Sequence, residues 1–137
     1  MIFVSACLVG EPCKYNGGHN RNEKVLAFLA DKEYLSVCPE ALGGLPIPRD
    51  PVEKKGERYI SRDGEDHTAA FQKGAQAVLD LALHHRPTLV ILKERSPSCG
   101  SKQIYDGSFS GKRIEGMGYT AALLRQHGFR IISEEEL

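Results

Sequence analysis

Tryptophan, net charge and long apolar runs are all missing from this chain, and each absence removes a class of function. Without Trp, any stacking on a nucleobase must use the 5 Tyr, the 5 Phe, His or Arg. Lys+Arg and Asp+Glu each number 18, so the formal charge is zero; this argues against a general polyanion binder and disfavours tRNA as a partner relative to a small molecule. No stretch approaches the roughly 20 apolar residues of a membrane span, so no membrane partner is expected. The opening MIFVSACLVGEPCK is apolar at first, but it has no basic start and is broken by Ser5 and Cys7. It does not read as a secretory leader, and a cytoplasmic protein is expected. No Gly-x-Gly-x-x-Gly, P-loop, Ser-His-Asp pattern or Cys-x-x-Cys pair occurs. The common dinucleotide, phosphate-cradling, serine-hydrolase and zinc-knuckle signatures are therefore missing.

What remains is ordinary globular material. The 137 residues, 41% hydrophobic and 26% charged, suit one domain over 1–137 with a core that needs no disulfides. Ile2-Phe3-Val4 opens a short strand ending near Cys7. Asn22 caps a helix carrying Val25, Leu26 and Leu29 that stops near Asp31. Tyr34–Cys38 reads as a second strand, ended by Pro39. Residues 43–51 (GGLPIPRDP) form a stiff loop, and the charged stretch 52–65, with turns at Lys55-Gly56 and Asp63-Gly64, reads as an exposed two-stranded excursion.

Asp66 is the expected cap of a long helix with Phe71, Ala75, Val78 and Ala82 on one face, stopped by Pro87. Thr88–Leu92 is a continuous apolar run, as in a parallel strand buried on both faces. Residues 95–118 read as a long glycine-punctuated loop. Thr120 caps a last helix that Gly128 ends, and Phe129–Ile132 closes the sheet. The sum is an α/β, Rossmann-like domain: three layers around a mostly parallel sheet of about four strands.

In such sheets ligands bind outside the carboxyl ends of the strands. Cys7 ends the first strand, Cys38 the second, and Cys99 lies in the loop leaving the third. In a reducing compartment, thiols placed so point to metal binding or catalysis rather than disulfides. Three thiolates select an iron–sulfur cluster, zinc or copper(I); the alternative is three small buried hydrophobes. Cys13, six residues after Cys7, reads first as an ordinary loop thiol, with a fourth ligand as the alternative.

Glu40, two residues after Cys38, is a candidate general base or a salt-bridging carboxylate. Ser96 and Ser98 flank Pro97 just before Cys99, where they donate to a bound group or simply make the turn. Lys93 and Arg95 either offset thiolate charge or form a solvated strand end, and Arg49 either binds an anion or forms a salt bridge. Gly116 and Gly118 would suit an anion at a helix start, though a flexible joint is the simpler reading. His84, His85 and His127 complement helix ends, His67 is a loop residue, and His19 is an outside candidate for a metal.

Val4-Ser5-Ala6-Cys7-Leu8, Lys14-Tyr15-Asn16-Gly17, Cys38-Pro39-Glu40, Gly44–Arg49, Leu92-Lys93, Ser96-Pro97-Ser98-Cys99-Gly100 and Tyr105-Asp106-Gly107 resemble the bacterial thiouracil desulfidase family over nearly the whole chain. One departure is Asn16, where an Asp is common in that family. The resemblance implies a [4Fe-4S] cluster held by Cys7, Cys38 and Cys99, with Cys13 as rival to Cys38 and one iron left open for substrate. It implies non-redox conversion of C=S to C=O in a thiolated pyrimidine such as 2-thiouracil or 4-thiouridine. Glu40 would activate water, and Ser96, Ser98 or Lys93 would orient the ring or supply a proton. Free base and nucleoside both fit, and no oligomeric state is implied. The competing readings are a zinc protein using Cys7, Cys38, Cys99 and Cys13 or His19, and an iron–sulfur or thiol redox sensor without turnover.

Overall fold

A computed structural model describes residues 1–137. Strand β1 (Ile2–Ser5) runs into a 3-10 turn, Ala6–Val9. Helix α1 (Glu23–Leu29), strand β2 (Tyr34–Val37) and a short helix α2 (Pro39–Leu42) follow. The excursion is β3 (Val52–Lys55) and β4 (Arg58–Ser61), and then comes the long helix α3 (Thr68–His85). Strand β5 (Leu89–Leu92), the pair β6 (Gln103–Tyr105) and β7 (Arg113–Glu115), helix α4 (Tyr119–Gln126), β8 (Ile131–Ser133) and a 3-10 turn Glu134–Glu136 complete the chain.

The main sheet has the order β2-β1-β5-β8, and every pairing in it is parallel. Alternate residues of a strand face opposite sides, and both sides are covered. Phe3, Val90 and Leu92 pack with Val78, Leu79, Ala82, Ala121 and Leu124 of α3 and α4. Ile2, Val4 and Ile91 pack on the other side with Val25 and Leu29 of α1. This two-sided burial is why β5 is apolar throughout. The three-layer α/β architecture expected from the sequence is the one observed.

Several local expectations shift. Residues 95–118 are not one loop: β6 and β7 form an antiparallel hairpin within them, pairing Ile104 with Ile114. Pro39 ends β2 by opening α2, holding a first helical position where its missing N–H is harmless. Asn22 does cap α1, accepting from the Val25 N–H. Asp66 does not occupy the cap of α3; His67 does, while Asp66 accepts from the Thr68 N–H at 2.8 Å. Thr120 lies inside α4, whose cap is Gly118, and its hydroxyl is buried without a partner. The closing strand starts at Ile131, two residues later than expected.

Helix α2 lies so close to α3 that no side chain fits between them. A β-carbon on Gly74 would strike the Pro39 carbonyl, and one on Gly43 would strike the Ala70 carbonyl. This seam sets where Pro39 and Glu40 stand. Gly74→Ala is therefore expected to lower stability by about 1–3 kcal/mol through overpacking, although alanine has the better helix propensity. A lower urea midpoint for the variant checks this; an unchanged or higher midpoint would show that the seam yields freely.

Candidate active site at the carboxyl edge of the sheet

A cavity of about 500 Å³ opens where the strands end. Cys7, Cys13, Cys38 and Cys99 all line it, as do Glu40, Lys93 and Ser96. Cys7 stands in the turn after β1, Cys38 at the cap of α2 just after β2, and Cys99 in the loop between β5 and β6. All four cysteines are free. Ser98, by contrast, is 1% exposed and sits behind the cavity wall.

Cys13 is not a bystander. Its thiol lies beside those of Cys7 and Cys38, and the Cys38 thiol donates to the Cys13 carbonyl at 4.0 Å. Donation from Cys13, aided by the Asn20 amide at 3.5 Å and by the Lys93 charge, holds Cys7 below the ordinary thiol value despite burial. The same Cys13 contact, against burial and with help from the Ala41 N–H at the start of α2, lowers Cys38 to about 7. Cys13 itself is pushed up by its two neighbours and by desolvation. Cys99 is fully buried, and burial pushes its thiol up against a hydrogen bond from Ser5. The loop reading of Cys13 is thus half right: it lies in the loop after the first turn, but that loop folds back over the site. Backbone bonds from Asn20 N–H to the Cys7 carbonyl and Asn22 N–H to the Leu8 carbonyl fold it so.

Glu40 is fixed from two directions. Arg49 pairs with its Oε1 at 3.2 Å, and the Ser98 hydroxyl donates to its Oε2 at 3.1 Å. The Arg49 side chain is only 7% exposed and also donates to the Cys13 and Pro46 carbonyls, while its Nε is buried without a partner. Ser96 has a different task from Ser98. Its Oγ accepts from the N–H groups of Ser98 and Cys99, bracing the turn that carries Cys99. Its own O–H remains available to donate into the cavity it lines.

Lys93 and Arg95 are not solvated strand ends. The Lys93 Nζ meets Glu134 at 3.1 Å and the Glu94 carbonyl at 2.8 Å, and Arg95 pairs with Glu135 at 2.8 Å. Lys102 pairs with Glu136 at 3.1 Å. Three consecutive C-terminal glutamates thus hold the loop that bears Cys99. At its centre lies Glu94, 2% exposed, whose carboxylate accepts from the N–H groups of Arg95, Ser101, Lys102 and Gln103 and from the Ser101 hydroxyl. No sequence pattern flagged Glu94; an acidic residue two positions after an apolar strand was the only hint. Gly118 serves the same loop. A β-carbon there would strike the Ser98 backbone, and the α4 start donates from Gly118 N, Tyr119 N and Ala121 N to the carbonyls of Gly100, Pro97 and Ser98. Those bonds leave no anion site at this helix start. His19 is exposed, does not line the cavity and accepts from Arg21 N–H.

A family model described as 2-thiouracil desulfurase matches residues 2–136. The chain belongs to the 2-thiouracil desulfurase family. Members act as enzymes on a carbon–sulfur bond. The chain is also 46% identical over 147 aligned positions to the uncharacterized protein YbbK of Bacillus subtilis (strain 168), covering 100% of this chain and 97% of the relative. Among solved structures it resembles TudS, a [4Fe-4S]-dependent thiouracil desulfidase, with a TM-score of 0.93 and 45% identity over 99% of this chain and 91% of that one.

The donor set is one of soft sulfur: four thiols stand around one cavity wall, and such ligands suit an iron–sulfur group as they suit zinc or copper(I). The unpartnered Arg49 Nε and the Asn20 amide supply donors beside that sulfur-rich wall.

Glu94 generates a pH prediction. Burial alone would raise its carboxyl, but the converging backbone N–H groups and the Ser101 hydroxyl outweigh burial and hold it below the ordinary value of 4.5. A depressed carboxyl adds stability above its unfolded-state value, and that stability is lost as pH falls through the folded value. Glu94→Gln is therefore expected to be less stable than wild type at pH 7 and to lose less on acidification below about pH 4.5. Glu94→Ala, which strands four N–H donors, should cost about 3 kcal/mol or more. Urea denaturation across pH checks both.

Proposed function

We propose that this protein converts the thiocarbonyl of a thiolated uracil compound to a carbonyl, using a [4Fe-4S] cluster held by Cys7, Cys38 and Cys99. The observation that carries the proposal is the meeting of these thiols and an ion-paired Glu40 on one cavity. Cys38 is preferred over Cys13 because it stands at the exit of β2, at the cap of α2, where the Ala41 N–H favours a thiolate. Three protein ligands leave room for the substrate sulfur. When bound, the cluster supplies a thiophilic Lewis acid that draws electron density from the thiocarbonyl carbon.

The chain's own residues supply the rest. Glu40 accepts a proton from water, whose oxygen attacks the ring carbon. Arg49 and Ser98 keep the carboxylate facing one way, so little reorganisation is needed at that step. The Ser96 O–H orients the ring or returns a proton to it. Lys93 contributes charge rather than a proton, since its ammonium is held by Glu134. Water and the thiocarbonyl become a carbonyl and sulfide, with no net oxidation.

A cavity of about 500 Å³ fits a pyrimidine base or nucleoside, within the usual range for small-molecule sites. Zero net charge and a cavity of this size favour such a molecule over tRNA. No helix is long and apolar enough to cross a membrane. Four free thiols around the site favour a reducing compartment such as the cytoplasm.

Anaerobic reconstitution followed by assay on 2-thiouracil and 4-thiouridine is the decisive test. Serine at position 7, 38 or 99 should abolish bound iron and acid-labile sulfide, while Cys13→Ser should keep both; loss of the cluster in Cys13→Ser with retention in Cys38→Ser would exchange their roles. Glu40→Gln should hold the cluster but lower kcat by about 100-fold or more, the scale of a lost general base. Normal turnover in that variant would dismiss Glu40 as the base.

A further inference from the structure

We infer that Phe109 is the stacking platform for the substrate's pyrimidine ring and that Glu53 positions it. The inference rests on the reading of the cavity as a thiolated-pyrimidine site. Phe109 lines the cavity that holds the four cysteines, yet it belongs to none of the three hydrophobic cores and remains only half-buried. Its backbone is left-handed, with φ of 57°, a conformation disfavoured for any residue bearing a β-carbon. Glycine would relieve that strain, and Gly107 and Gly111 nearby show that this turn already uses it. A bulky aromatic kept in a strained turn, outside every core and on the wall of the cavity that the thiols share, points to a ligand.

The strained turn is held from outside. The Glu53 carboxylate on β3 accepts from the N–H groups of both Gly107, at 3.0 Å, and Phe109, at 3.2 Å. Gly107 also approaches the Lys54 carbonyl so closely that a β-carbon would meet it at 2.8 Å. The β6–β7 turn is thereby pinned to the β3–β4 excursion, and the two small hairpins form one wall. The Arg62 guanidinium lies over the Phe109 ring, 5.6 Å from its centroid. With no Trp in the chain, the aromatic faces along this cavity are those of Tyr15, Tyr105 and Phe109. Tyr15 is 42% exposed, and Phe109 is the one whose backbone is both strained and clamped.

The test uses the full chain, reconstituted anaerobically, with iron and sulfide content, kcat, KM and calorimetric binding of uracil measured for each variant. Phe109→Ala should raise KM for 2-thiouracil and weaken uracil binding about tenfold, a usual scale for one lost stacking contact, with kcat within about twofold and cluster content unchanged. Phe109→Tyr should restore both, and Phe109→Leu, with bulk but no ring, should not. Glu53→Ala should raise KM several-fold, and Glu53→Gln, whose amide oxygen still accepts, should recover it. Unchanged KM and uracil affinity in an otherwise active Phe109→Ala protein would overturn the role of Phe109 alone, as would loss of the cluster in that variant. A wild-type protein that holds its cluster but turns over neither thiolated compound would overturn the reading of the site, and this inference with it.

Discussion

Parallel pairing of β1, β2, β5 and β8 sends every strand out at the same edge, and the rest of the site depends on that. Each exit then delivers something different to one place: Cys7 after β1, Cys38 after β2, the Lys93–Cys99 segment after β5 and the three glutamates after β8. An antiparallel arrangement of the same strands would have divided these residues between opposite ends. The two-sided burial that permits an all-parallel sheet is thus also what lets residues far apart in the chain share a cavity.

Gathering them creates an electrostatic problem that the surrounding groups solve. Thiols, Glu40 and Glu94 would concentrate negative charge in a partly buried space. Arg49 neutralises Glu40, four N–H groups and a hydroxyl satisfy Glu94, and Lys93 lies between Glu134 and the Glu94 carbonyl. The glutamates of the last turn are best understood through the loop they grip rather than as a solvated tail. Glu134 also accepts from the Glu94 N–H at 2.7 Å, so the end of the chain is coupled to the loop that carries Cys99. Placement of Cys99 is therefore a property of β5, α4 and the C-terminal turn together.

The parts of the site that were legible in the sequence follow from periodicity and from strand ends. The apolar run 88–92 marks a doubly buried strand, and the cysteines at strand exits mark a shared edge. The parts that were not legible are short or non-local. Helix α2 has only four residues, and the strands of the β6–β7 hairpin have three each, with Arg113–Glu115 wholly exposed, so neither leaves a readable pattern. The Asp66–His67 difference is one residue at a helix end, where an aspartate can bond the first turn from either position. Ser96 and Ser98 are equivalent by spacing, and only the packed turn separates a cavity-lining hydroxyl from a buried one that holds Glu40.

By itself the sequence determined the α/β architecture, the edge at which chemistry occurs and the family motifs, because hydrophobic period and residue type are local properties of the chain. Only the tertiary structure decided that Cys13 contacts Cys7 and Cys38, that Glu94 anchors the Cys99 loop, that Lys93 faces Glu134, and that Phe109 meets the cavity. Those facts depend on which backbone N–H groups, charges and thiols are brought within a few ångströms across 25, 40 or 56 positions of chain, and no one-dimensional pattern records such distances.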